Sequence, residues 1–365
     1  MIVKEWNKKG PATILAYRLQ GCPTNPFTTR DHCLSIAQQT TAPAYTDVIA
    51  LRGLTKRYGQ RLALSDVTLS IGPGVTGLLG PNGSGKSTLI KSLLGLLSIQ
   101  AGTAEVLGYR LPRHLRAIRD AVGYLPEDDC FLAGLSGIES VQFMARLSGL
   151  NATEGLRRSH EVLDFSDVGQ ERYRPVETYS TGMRQKLKFA QAIVHDPHLL
   201  ILDEPTTGLD PQQRMSMLRK IKTLTQQHGK SILISTHILH DVRAVCEQVV
   251  IMAAGQVRLV DSLENLSRPA QQGITLQVER TGEVSVEQPH PEAACLAVKL
   301  QEHGMTSQVL RDGSLWVSGV DPQHCGRVWE LARDCNVHIK QIAGARNSLE
   351  QVFFEAVREA QHAVA

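Results

Sequence analysis

Five short apolar runs, each closed by a glycine or polar residues, constrain this chain more than any other feature: Val75–Leu79, Val122–Leu125, Leu199–Leu202, Ile232–Ile234 and Val249–Met252. Helical stretches separate most of them. Continuous apolar runs of this length, alternating with helices, predict a parallel sheet covered on both faces. Ligands of such sheets sit beyond the carboxyl ends of the strands. The residues just after each run therefore carry the interest. Upstream, Val48–Leu51 and Leu62–Ile71 predict strands around a turn at Gly59.

The first run leads into Gly80-Pro81-Asn82-Gly83-Ser84-Gly85-Lys86-Ser87-Thr88, which fits the phosphate-loop pattern G-x-x-x-x-G-K-[ST]. Glycines let successive N–H groups turn inward around phosphate oxygens, and a helix starting near Lys86 points its positive end at them. Lys86 is expected to reach the β- and γ-phosphates, and the Ser87 hydroxyl to ligate magnesium. The run Leu199–Leu202 ends in Asp203 and Glu204. Alone, such a pair reads as a solvated strand end. Beside a phosphate loop, Asp203 is expected to hold magnesium. Glu204, diverging from it on an extended chain, is expected to polarise the attacking water. The run at 232–234 delivers His237 to the same sheet edge, where it is expected to contact a γ-phosphate.

Composition bounds the rest. With 365 residues and 42% hydrophobic residues, the chain can bury one large core and a second. A net charge of +3 gives no field that argues for nucleic acid. No stretch approaches the ~20 apolar residues of a membrane-spanning helix, so a membrane role requires a partner. Seven cysteines, Cys22, Cys33, Cys130, Cys246, Cys295, Cys325 and Cys335, form no C-x-x-C pair and read as reduced thiols. Leu19-Gln20-Gly21-Cys22 has the form of a lipoprotein cleavage box, but the apolar run Ala12–Tyr17 before it is short and Arg18 ends it, so export is not expected.

Residues 1–46 show no sustained period and predict a poorly ordered extension. A regulatory arm and a start misassigned upstream of Asp47 are the alternatives. A main α/β domain is predicted over 47–268, with a helical subdomain at about 128–178 in which Val141, Phe143, Met144 and Leu147 recur at helical spacing. From 269 to 365 the order is Ile274–Val278 strand, Glu292–Glu302 helix, a hairpin of 308–310 and 315–317 around Asp312-Gly313, Gln323–Asp334 helix, Val337–Ile342 strand and Leu349–Ala360 helix. That βαββαβ order predicts a ferredoxin-like domain with one extra helix.

The decisive segment is Tyr179-Ser180-Thr181-Gly182-Met183-Arg184-Gln185, which resembles the L-S-G-G-Q signature of ABC transporter nucleotide-binding subunits. Ser180 and Gly182 keep the signature; Thr181 and Met183 depart from it. The resemblance covers residues 48–265. It implies an α/β P-loop NTPase domain of ABC type with a helical subdomain, alongside the small α+β C-terminal domain. It further implies an ATPase that uses ATP and Mg2+, with two such domains closing head to tail so that Ser180 and Gly182 reach ATP on the partner. Tyr58 matches the aromatic that stacks on adenine. Asp210, in Thr207-Gly208-Leu209-Asp210, matches the loop that crosses the dimer interface. Glu127 stands where the family usually has a magnesium-contacting glutamine. The partners implied are a transmembrane permease subunit and a second ATP-binding subunit, with the chain peripheral on the cytoplasmic face of the membrane. Tyr124-Leu125-Pro126-Glu127, the signature variant and Ser348-Leu349-Glu350-Gln351-Val352-Phe353 resemble bacterial ABC-2 type exporters. Two other readings compete: a soluble ABC ATPase acting on ribosome or DNA, and a kinase built on the same loop. The C-terminal domain reads as a steadying element or as a small-molecule sensor.

Overall fold

Strands without a polar face cannot sit at a surface, and Val75–Leu79, Leu199–Asp203 and Ser231–Thr236 are buried at every position. The computed structural model describes residues 47–129, 131–267, 273–278, 291–309, 314–318, 320, 325–335, 337–344 and 349–362. The predicted extension 1–46 with Cys22 and Cys33, Cys130, the turn at Asp312-Gly313 and Ser348 lie outside the described residues.

The strands are β1 Ile49–Tyr58, β2 Arg61–Ile71, β3 Val75–Leu79, β4 Ala101–Val106, β5 Tyr109–Arg110, β6 Val122–Leu125 and β7 Leu199–Asp203, then β8 Ser231–Thr236, β9 Gln248–Ala253, β10 Gln256–Ser262, β11 Gly273–Val278, β12 Ser307–Val309, β13 Leu315–Ser318 and β14 Ile339–Gly344. The helices are α1 Lys86–Leu93, α2 Leu115–Ala121, α3 Gly137–Leu147, α4 Ala152–Phe165, α5 Thr181–Ile193 and α6 Pro211–His228, then α7 Leu239–Val245, α8 Leu263–Ser267, α9 Pro291–Glu302, α10 Gly326–Asp334 and α11 Leu349–His362. The chain divides into two compact units, one holding residues 65–75 and 87–235 with the chain up to Arg61, the other holding 62–64, 76–86 and 236 onward.

In the first unit, β2, β1, β4 and β5 lie in that order, with Ile49 opposite Val106 and Leu51 opposite Ala104 in an antiparallel ladder. Strands β6, β7 and β8 run parallel, Val122 beside Leu199 and Leu199 beside Ser231. Helix α5 covers this sheet with Leu187, Phe189, Ala190 and Ile193 buried. It approaches so closely that a side chain at Gly123 would run into the Ala192 carbonyl. The predicted helical subdomain resolves into α3 and α4 and two short 3-10 turns, Gln170–Tyr173 and Val176–Thr178. Ser136 and Glu139 form a reciprocal capping box on α3, and Asn151 caps α4.

In the second unit, β3 runs parallel to β9, and β9 turns back into β10 through Ala254-Gly255, both at positive φ. The C-terminal sheet has the order β12-β13-β11-β14, antiparallel throughout. Counted within the domain this is 2-3-1-4, a βαββαβ sheet of the ferredoxin-like kind. Its core joins Ile274, Leu276, Leu296, Leu300, Leu315, Val317 and Leu331. The extra helix α11 packs on β9 and β10, and its Glu350 pairs with Arg243 of α7 at 2.5 Å. Among the described residues, Cys246, Cys295, Cys325 and Cys335 form no disulfide. Among the described residues, no helix is long and apolar enough to cross a membrane.

The sequence pattern understates the strands. β1 runs on to Tyr58, and β4, β5 and β10 carry no apolar run that announces them. Ala101-Gly102-Thr103-Ala104-Glu105-Val106 buries only Ala104 and Val106, so its pairing with β1, not its composition, makes it a strand.

His195, just past α5, offers a test of the fold. Burial holds its imidazole below the ordinary range, against the hydrogen bond to the Val122 carbonyl, which raises it. Unfolded, the ring takes up a proton near its ordinary value of about 6.5; folded, only at lower pH. Its stabilisation is therefore complete above the unfolded value and is lost as pH falls toward the folded one. We expect urea midpoints to drop between pH 7.5 and 5.5, and to drop less in His195→Gln. Equal drops in both proteins would remove this role.

Candidate nucleotide site

The loop between β3 and α1 is built by close backbone approach. Gly83 and Gly85 sit at φ +79° and +107°, the left-handed region where side chains are strained. A Cβ on Gly85 would lie 2.8 Å from the Ala63 carbonyl, and one on Gly80 would collide with the Met252 carbonyl and the Ser84 hydroxyl. The Gly255 amide donates to the Ser84 carbonyl at 3.0 Å, and the Ser84 amide to the Pro81 carbonyl at 3.1 Å. Lys86, only 8% exposed, folds back to donate to the Gly80 carbonyl at 2.7 Å and the Pro81 carbonyl at 3.2 Å. Pro81, Asn82 and Gly83 face solvent, and Ser87 and Thr88 are half-buried in the first turn of α1. That turn contains no acidic residue to neutralise the helix's positive end. The Ser84 hydroxyl is buried without a hydrogen-bond partner. A glycine-built cradle with an unmatched buried hydroxyl and a cation beneath it fits a polyphosphate. His237, in the same unit, is exposed immediately after β8; the preceding Thr236 hydroxyl accepts from the Ile238 amide at 3.1 Å and fixes the turn.

The first unit carries the carboxylates. Asp203 is the last residue of β7, 2% exposed. Glu204 lies beyond the strand with φ +50°, a left-handed turn that ends the pleat expected from sequence. A non-glycine residue there costs about 1–3 kcal/mol. Its backbone is held on both sides: the amide donates to the Ser235 carbonyl at 2.9 Å, and the carbonyl accepts from Gln185 Nε2 at 2.9 Å. Thr207 Oγ1 donates to the Glu204 carboxylate at 3.3 Å.

Ser180 is exposed and caps α5, accepting from the Met183 amide at 3.3 Å. Gly182 is buried: a Cβ there would lie 2.5 Å from Gln213 Oε1. Gly208, at φ +77°, packs under Thr181. Asp210 caps α6 by accepting from the Gln213 amide at 2.8 Å. The structure thus brings the predicted signature and the Thr207–Asp210 loop together in one unit. On the far side of the signature, the Gly134 amide donates to Glu177 at 2.6 Å and holds that carboxyl below its ordinary range.

Glu127 is exposed, past β6 and Pro126. The sequence gives no hint that Lys188 and Arg184 of α5 hold this loop: Lys188 Nζ donates to the Pro126 and Glu127 carbonyls at 3.1 and 2.9 Å, and Arg184 pairs with Asp129 at 3.1 Å. Tyr58 stands apart at the end of β1, 47% exposed, with Lys56 Nζ 5.4 Å from its ring centre.

A phosphate loop on one strand, an acidic pair on another and a capped signature helix define an ATP-binding cassette. A family model described as ABC transporter matches residues 64–207. The chain is 36% identical over 228 residues to the ABC transporter ATP-binding protein YdbJ of Bacillus subtilis, covering 62% of this chain and 73% of that one. It is 32% identical over 315 residues to YxlF of the same organism, covering 85% and 99%. Nod factor export ATP-binding protein I of Ralstonia nicotianae is 35% identical over 58% of this chain and 66% of its own length. Among solved structures, an ATP-binding subunit of an ABC transporter matches with 30% identity and a TM-score of 0.55, over 60% of this chain and 91% of that one. A dimeric bacterial ABC transporter cassette shares the fold at 23% identity and a TM-score of 0.56, over 59% and 98%. The chain belongs to the ABC transporter ATP-binding proteins, which bind and hydrolyse ATP.

The Gly80 approach leaves no room for even a methyl group. Gly80→Ala should weaken ATP binding by about tenfold or more, equal to ~1.4 kcal/mol, measured by calorimetry. Unchanged affinity would show that the loop rearranges freely.

Proposed function

We propose that this chain is the motor of an ABC-2 type exporter, working on a separate transmembrane permease. Two copies close head to tail around two ATP molecules. The observation that carries this reading is the solvent-facing start of α5: Ser180 caps a helix whose positive end points outward while Gly182 is buried behind it. A helix start so placed suits an anion held by a facing molecule. The relatives' names support export: besides the Nod factor export protein, a linearmycin resistance ATP-binding protein of Bacillus subtilis is 30% identical over 220 residues. These are transporter names and favour this reading over a ribosome or DNA role.

Within each copy, the amides of 80–86 cradle the phosphates and Lys86 meets the β- and γ-oxygens. Ser87 and Asp203, joined by Glu127, would hold Mg2+, which supplies charge neutralisation on the phosphates. Glu204 accepts the proton of the attacking water, and His237 steadies the γ-phosphate. Tyr58 stacks on the adenine. Ser180 and Gly182 close on the partner's ATP, and Asp210 lies at the crossing loop. Closure gives ATP a higher affinity for the joined state, which is what moves a coupled permease. Residues 47–268 form the motor and 269–365 an accessory domain that steadies it. The helical subdomain at 128–178 meets the permease, placing the chain peripherally on the cytoplasmic face of the membrane.

Lys86→Ala should weaken ATP binding by at least ~10-fold. Glu204→Gln should keep binding, lower turnover ~10²–10⁴-fold and accumulate an ATP-dependent dimer on size exclusion. Wild-type turnover in Glu204→Gln would remove its role as base, and a monomer at saturating ATP would defeat dimer closure.

A further inference from the structure

Lysine is rarely buried unless paired, because its charge loses hydration. Lys188 is 4% exposed and stands on α5, two turns from the Ser180 cap. Three oxygens receive it: the Pro126 carbonyl at 3.1 Å, the Glu127 carbonyl at 2.9 Å and Asp129 Oδ1 at 3.5 Å. All three belong to one four-residue loop. That loop presents Glu127, Asp128 and Asp129 to solvent as three successive carboxylates. Adjacent like charges push it outward, and nothing in its own sequence counters that. The counter-charge comes from α5. Arg184, one turn before Lys188 and on the same face, reaches the other Asp129 oxygen at 3.1 Å. Gln185 of the same helix holds the Glu204 carbonyl.

We propose that Lys188 is a positioning residue that sets the Glu127 loop from the signature helix of the same chain. The inference rests on the nucleotide-site reading above and deepens it. From Ser180 to Lys188 the helix rises about 12 Å, short enough to move as one rod. A shift of the cap on meeting a facing ATP therefore carries the Lys188 amino group, and with it the backbone of Glu127, as it carries Gln185 and the backbone of Glu204. At 127, where the family usually has an amide, Lys188 grips the backbone and leaves the carboxylate exposed. The bland alternative is a lysine that only glues a loop to the core. Such glue would change stability without changing how turnover depends on magnesium.

The test uses the full chain. Lys188→Met keeps the stem and removes the cation; Lys188→Arg restores a cation; Asp129→Asn keeps the fold if Lys188→Met does not. Three quantities are read: amide hydrogen exchange over 124–129, kcat and KM for ATP, and the magnesium concentration giving half-maximal turnover. Lys188→Met should speed exchange in that loop about tenfold and lower kcat about tenfold. KM should change by less than about threefold and the half-maximal magnesium should rise, with Lys188→Arg recovering most of both. Asp129→Asn should shift the same quantities less. Wild-type exchange and kcat in Lys188→Met overturn the proposal. So does a loss of kcat that follows thermal stability alone, with magnesium dependence unmoved and no recovery in Lys188→Arg. Failure of the nucleotide-site reading would look different: Lys86→Ala would bind ATP normally.

Discussion

A strand buried on both faces has no side chain to spare for water, so any polar chemistry it supports must gather where it ends. That constraint governs β3, β7 and β8, buried along their whole length. Past β3 comes a glycine loop, past β7 the Asp203–Glu204 pair, past β8 the exposed His237. The apolar runs that make the core also fix the places where charged groups stand. Burial supplies the rigidity: Asp203 is locked in register opposite Ser235, and the next amide, that of Glu204, bonds the same residue's carbonyl.

Helix α5 is the second organising element. It seals β6 so tightly that Gly123 has no room for a side chain. It opens in the signature, and along its first three turns Arg184, Gln185 and Lys188 reach the loop after β6 and the turn after β7. One packing decision, helix on sheet, thus places an anion-seeking helix start, a buried cation and two backbone clamps. The left-handed backbone at Glu204 is held by Gln185 at its carbonyl and by Ser235 at its amide.

Much of this was legible in the sequence for a definite reason. The phosphate loop, the acidic pair and the signature are local: each is a run of neighbours whose spacing states its geometry. Towards the C-terminus the βαββαβ order suggested a ferredoxin-like arrangement, and β11 to β14 lie in the order 2-3-1-4. What remained hidden depends on distant pairings. Lys188 finds Pro126 from 62 positions away, and no periodicity in either segment points to the other. Strands β4 and β10 are held by partners and carry no run of their own. The turn at Glu204 could not be inferred because positive φ is uncommon outside glycine, and nothing in a glutamate announces it.

Helix α11 has a wider meaning for the second unit. It lies on β9 and β10, with Leu349 and Ala356 buried and Glu350 tied to Arg243, in the helix that follows His237. The helix is therefore part of the packing that covers β9 and β10 within the second unit. Removing α11 would bare apolar surface on β9. Protein engineers seeking a smaller cassette would do better to keep this helix and shorten elsewhere.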